Sequence, residues 1–89
     1  MHEDGWQFSV YVLEDARGKF YVGQTDDLTR RLADHHSPSR PGTKFTTRSN
    51  AWRLVWSEVH STRASAMQRE RQIKSMKSAR WIRENLLNR

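Results

Sequence analysis

The chain contains no cysteine, which excludes disulfides and thiolate-metal sites and leaves nothing that requires an oxidising compartment. No apolar run approaches a bilayer span, and the start Met1-His2-Glu3-Asp4-Gly5 lacks the basic and apolar stretches of a secretory leader. A cytoplasmic protein with no membrane role is the expectation. Glycine-rich dinucleotide and phosphate-loop motifs are missing. His35 and His36 diverge on a helix and neither has a second histidine at i+4, which argues against zinc. No serine stands in a nucleophile motif with a partner histidine and aspartate. Asp15, Asp26 and Asp27 fall at turns or helix starts, where capping accounts for them, and Glu58 reads as a solvated strand residue. Two-metal catalysis therefore lacks its clustered carboxylates.

What remains is basic and small. Sixteen Lys and Arg oppose ten Asp and Glu, for a formal charge of +6. That balance suits a polyanion, with binding that weakens steeply as salt rises. Eighty-nine residues make one domain, 1–89, with no internal repeat or second-domain boundary. A core of that size has few positions to give to buried polar groups, so polar residues on apolar stripes are informative.

Residues 8–14 and 19–24 alternate as two strands, joined by a turn at Asp15-Ala16-Arg17-Gly18. Val10, Val12, Phe20 and Val22 share one face if Tyr11 sits opposite Tyr21. The other face then carries Ser9, Tyr11, Leu13, Tyr21 and Gly23, with the two phenols as neighbours. Thr25-Asp26-Asp27 starts a helix running to about residue 36. Leu28 and Leu32 form its apolar stripe, Arg31 and His35 fall on the same stripe, and Arg30 points away. Residues 37–51 read as a long loop carrying Arg40, Lys44 and Arg48. A third strand spans 53–59, with Leu54 and Trp56 on one face and Val55 and Val59 on the other, as if covered from both sides. Ser61-Thr62 caps a second helix reaching about residue 76, and a third covers 78–87 with Trp81, Ile82 and Leu86 inward.

On the second helix Ala66, Glu70 and Ile73 share a stripe, so Glu70 alone among the helical acids is carried onto an apolar face. A carboxylate there needs a cation, a metal ion or a proton. A salt bridge to Arg31 or another cation is the plain structural reading. Tyr11 and Tyr21 taken singly would be sheet aromatics, Arg31 a snorkelling side chain and His35 a satisfied imidazole. Their joint placement points further.

That ordered set resembles the GIY-YIG nuclease superfamily, most closely its small single-domain bacterial members. The first motif stands here as Val10-Tyr11-Val12 and the second as Tyr21-Val22-Gly23. The stretch from Gly23 through Arg31-Leu32 to His35, the segments Lys44-Phe45-Thr46 and Leu54-Val55, and Ala66 to Lys74 around Glu70 complete the match. The resemblance implies an α+β fold, a three-stranded antiparallel sheet flanked by helices in the order β-β-α-β-α-α. It implies a metal-dependent DNA endonuclease or nickase of low sequence specificity. Tyr11 would be the general base or water-positioning phenol with Tyr21 beside it, and Arg31 would stabilise the transition state. His35 would assist proton transfer, and Glu70 would hold one Mg²⁺ or Mn²⁺. DNA contacts are expected from Lys44, Arg48, Arg69 and Lys74. Branched or nicked DNA, RNA, and a protein partner for targeting stay open, as does a non-catalytic binding module or partner-dependent subunit on the same fold. Several relatives carry an Asn on the last helix where this chain has Ile82, and that role is not carried over.

Overall fold

A computed structural model describes residues 7–35 and 52–89, the side chains of residues 34 and 35 excepted. Its elements run β1 (Phe8–Glu14), β2 (Phe20–Thr25), α1 (Leu28–His35), β3 (Arg53–His60), α2 (Arg63–Ser75) and α3 (Ala79–Asn85). The strands form one antiparallel sheet in the order β2-β1-β3, so the architecture is the expected α+β arrangement.

The β1–β2 hairpin keeps the expected faces but not the expected pairing. Tyr11 lies opposite Gly23, and Tyr21 opposite Leu13. The reason sits in the turn. Asp15 accepts the backbone N–H of Arg17 at 2.9 Å and of Lys19 at 2.8 Å on one carboxylate oxygen, and Gly18 takes φ +83°. This holds five residues between the paired Glu14 and Phe20, which moves the register by two positions. A two-residue shift leaves every side chain on its own face, so alternation alone does not detect it.

The third strand departs further from expectation. It is an edge strand, and the strand covered from both sides is β1, whose residues are nearly all buried. Pairing jumps from Val12 opposite Trp56 to Leu13 opposite Leu54, leaving Val55 as an extra residue. That bulge puts Leu54 and Trp56 on opposite faces and brings both Val55 and Trp56 to the side packed by α2 and α3. Leu54 and Val59 stay 39% and 58% exposed.

Two cores result, one on each side of β1. Val10, Val12 and Val22 pack with Ala66, Ile73 and Ile82 from α2 and α3. On the opposite side Tyr11, Leu13 and Trp52 pack with Tyr21 and with Leu28 and Leu32 of α1. The helix starts follow capping chemistry. Asp27 accepts from the N–H of Arg30 at 3.1 Å, Thr62 from Ser65 at 3.1 Å and Ser78 from Trp81 at 3.0 Å. Glu58 is not merely solvated. Its Oε1 accepts from His60 Nε2 at 2.7 Å and Arg69 Nε at 3.1 Å, while His60 Nδ1 meets Ser65 Oγ at 2.5 Å. The network fastens the edge strand to α2. Among the described residues no helix is long and apolar enough to cross a membrane.

Candidate active site

Tyr11 occupies the middle of the central strand and is 1% exposed. Its ring lies against the neighbouring strand at the one residue that lacks a side chain. A Cβ at Gly23 would come 2.6 Å from the Tyr11 hydroxyl and 2.7 Å from Cζ. The cross-strand pairing therefore requires glycine for a steric reason, not for backbone freedom. Tyr21 is the diagonal neighbour, its ring centroid 6.4 Å from that of Tyr11 with 29° between the planes. Trp52 meets the Tyr21 ring edge-on at 6.4 Å. Sheet geometry and aromatic packing thus hold the phenols.

The electrostatics of Tyr11 report its surroundings. Burial pushes its phenol up, well above the ordinary tyrosine range; Tyr21 and Glu70 push the same way, and Arg31 opposes them. Of the other four residues singled out in the sequence, Tyr21, Arg31 and Glu70 thus act electrostatically on the Tyr11 hydroxyl. In the free protein Arg31 is outweighed. Tyr11 carries its proton at neutral pH and can donate a hydrogen bond. His35 lies in α1, but its side chain is outside the described residues, as are Lys44 and Arg48.

Arg31 and Arg30 separate as their spacing predicts, with Arg31 half-buried and Arg30 exposed. Both line a small cavity of about 150 Å³ with Thr25, Asp26 and Asp27 at the start of α1. Glu70 is half-buried on α2 and its Oε2 takes Lys74 Nζ at 2.7 Å, one turn away. The cation that answers this carboxylate is Lys74, not Arg31. Arg69 lies elsewhere, committed to Glu58 and to Gln72 at 2.7 Å, with its guanidinium 5.7 Å from the Trp56 ring centre. Ile82 is core, and the Asn85 amide donates to the Trp81 carbonyl at 3.0 Å.

Among the described residues no three His, Cys, Asp or Glu side chains gather to enclose a metal ion. The carboxylate that acts on the Tyr11 hydroxyl is Glu70, a hard oxygen donor suited to Mg²⁺ or Mn²⁺ and unsuited to soft metals. It fits a divalent ion held by a single protein carboxylate, with water and substrate oxygens completing its shell. Sequence reading missed the buried Glu14, whose carboxylate takes Arg89 Nη1 at 3.0 and 3.1 Å and Arg53 at 3.4 Å. It lies at the far end of β1 and closes the fold. The acid that ends an otherwise apolar strand was the available signal.

Comparison with known proteins bears on the family. The family model described as the GIY-YIG catalytic domain matches residues 7–85. A UPF0213 protein of Natronomonas pharaonis is 38% identical over 71 residues, covering 80% of this chain and 81% of its own length. A UPF0213 protein of Bacillus pumilus is 38% identical over 74 residues, 83% of this chain and 68% of that one. The solution NMR structure of UPF0213 protein BH0048 from Bacillus halodurans is 33% identical and covers 78% of this chain and 71% of its own, with a TM-score of 0.48. Such relatives occur in archaea as well as bacteria. With nearly its whole length matched, the chain belongs to the GIY-YIG catalytic-domain family.

Proposed function

We propose that this protein is a metal-dependent endonuclease or nickase that hydrolyses DNA phosphodiester bonds with little sequence preference. The observation that carries the reading is the single Tyr11 hydroxyl acted on together by Tyr21, Arg31 and Glu70. A buried phenol acted on by half-buried polar side chains from a neighbouring strand and two helices is hard to explain as packing in a domain this small.

The roles follow from the chemistry. Hydrolysis needs a water in line with the scissile bond, positive charge on the non-bridging oxygens and support for the departing sugar oxygen. Tyr11 and Tyr21 orient the water by hydrogen bonds. Because Tyr11 keeps its proton in the free protein, it serves there as a hydrogen-bond donor, and it would act as a base only after giving that proton up to solvent. Arg31 supplies charge to the non-bridging oxygens as it builds. Glu70 is the residue that would hold the divalent cation, and the chemistry such an ion supplies is neutralisation of charge on phosphate and leaving oxygen. Lys74 then has two partners to choose between. It rests on Glu70 in the free protein and turns to a DNA phosphate when the carboxylate is engaged, which makes metal and DNA binding mutually reinforcing. His35, Lys44 and Arg48 are proposed as further contacts, and Arg69 contributes by fixing α2 through Glu58.

The test is nicking of supercoiled plasmid in Mg²⁺ or Mn²⁺ by wild type and Glu70→Ala. Cutting that disappears in the variant while DNA binding is retained supports the reading. Equal rates would reduce the protein to a binding module, one that loses affinity without Lys74 and is indifferent to metal.

A further inference from the structure

A second opening lies beyond Glu70 along α2. It is a pocket of about 290 Å³ between the start of β2, the end of α2 and the start of α3. Its floor is apolar, formed by Phe20, Val22, Ile73 and Ile82 where the core comes to the surface. Its rim carries three exposed lysines, Lys19, Lys74 and Lys77. Lys74 is the residue whose ammonium rests on Glu70, so this rim is continuous with the proposed cleavage site. Lys19 and Lys77 form no ion pair among the described residues.

Lys77 is unusual in another respect. It sits at φ +49°, in the left-handed position that ends α2, with its N–H bonded to the Lys74 carbonyl at 3.1 Å. Glycine fills such a position without steric cost. A lysine there is disfavoured by its own Cβ, and what it adds over glycine is a cation on the pocket rim.

The occupant must offer an apolar, flat body to the floor and negative charge to the rim. A nucleotide does both, and a cavity at the lower end of the usual range for ligand pockets, about 300–1,000 Å³, suits one small ring system. A base inside a duplex is already stacked on both faces and cannot enter. Glu70, Ile73 and Lys74 follow one side of α2 at i, i+3 and i+4, and Lys77 stands just beyond the helix end. At 1.5 Å per residue the end of α2 lies about 8 Å from Glu70 along the axis, which brings the rim within a few nucleotides of the bond being cut.

We infer that this pocket receives an unpaired base of the DNA strand undergoing cleavage, its phosphates held by Lys19, Lys74 and Lys77. The protein therefore prefers single-stranded, frayed or flapped DNA to continuous duplex. This rests on the reading of Glu70 as part of the cleavage site. It adds the substrate form that the reading leaves open.

The experiment measures binding by fluorescence anisotropy in EDTA, so that nothing is cut. The probes are a labelled single strand, its duplex, a duplex with a short flap, the flapped duplex with abasic flap residues, and the flap as RNA. Wild type should bind the single strand and flap about tenfold more tightly than duplex, and abasic flaps should lose about that factor, as expected for a stacked base. Lys77→Gly keeps the left-handed turn without strain and should lose several-fold on the flap and little on duplex; Lys19→Ala should behave alike. Glu70→Gln should keep the preference while losing nicking. Equal binding of single strand and duplex, or of abasic and normal flaps, overturns the pocket, and tighter binding of the RNA flap overturns its assignment to DNA. If no substrate is cut but the abasic effect holds, the cleavage reading fails and the pocket stands. If Glu70-dependent cutting ignores abasic flaps, the pocket fails alone.

Discussion

Replacing Gly23 by alanine tests the geometry of the site with one methyl group. The added Cβ would meet the Tyr11 hydroxyl at 2.6 Å, Cζ at 2.7 Å and Cε2 at 3.2 Å. Ordinary carbon contacts lie at about 3.5–4.0 Å, so the phenol must retreat by about 1 Å. It has little room to do so, because Tyr11 is almost completely buried and stacked against Tyr21. Overpacking of this kind costs about 1–3 kcal/mol, and each kcal/mol lowers Tm by about 4–8 °C in a domain of this size. A displacement of about 1 Å in a positioning group can cost on the order of 100-fold in rate. The assays are thermal denaturation and plasmid nicking in Mg²⁺. Gly18→Ala serves as the control, since Gly18 has φ +83° but nothing within 4 Å of a Cβ. It should lose about 1 kcal/mol to backbone strain and keep the wild-type nicking rate. If Gly23→Ala melts and cuts like wild type, the phenol does not lie over Gly23, and the site described here is wrong.

Three further outcomes follow. Tyr11 is raised by burial, so above about pH 10 the unfolded phenol ionises while the folded one keeps its proton. The folded state then binds more protons, and stability falls as pH rises through that range; chemical denaturation across alkaline pH should show a shallower fall in Tyr11→Phe. Lys74→Ala frees the Glu70 carboxylate, so half-maximal nicking should need less Mg²⁺ while DNA affinity falls, seen in metal and DNA titrations of the same variant. Ile73→Ala, which opens a cavity under α2, should cost about 2–5 kcal/mol by denaturant unfolding.

The parts of this protein that could be read from sequence are those set by a local period. Strict alternation placed Tyr11, Leu13 and Tyr21 on one side of the sheet and Val10, Val12 and Val22 on the other, as found. Helical spacing separated Arg31 from Arg30 and carried Glu70 between Ala66 and Ile73. What periodicity cannot carry is the neighbour. The hairpin register moved by two because Asp15 organises a longer turn, and a pattern of period two is blind to that shift. Nothing in residues 53–60 announces an edge strand or the bulge at Val55, since both depend on which strand lies alongside. The Glu58–His60–Ser65–Arg69 network joins a strand to a helix and has no local signature. Lys74 as the partner of Glu70 was legible as an i, i+4 pair; the pull of Arg31 as a rival cation obscured it. Gly23 could be named as part of a motif, but its purpose needed the Tyr11 ring above it.

The most direct test of a shared cleavage centre is a double-mutant cycle on nicking rate with Arg31→Ala, Glu70→Ala and the pair together. If both side chains act on one phosphodiester, each single change slows cutting by on the order of 100-fold or more, and the double variant is little slower than the worse single one. Independent, multiplying losses, or a Glu70→Ala protein that nicks as fast as wild type, would contradict the account.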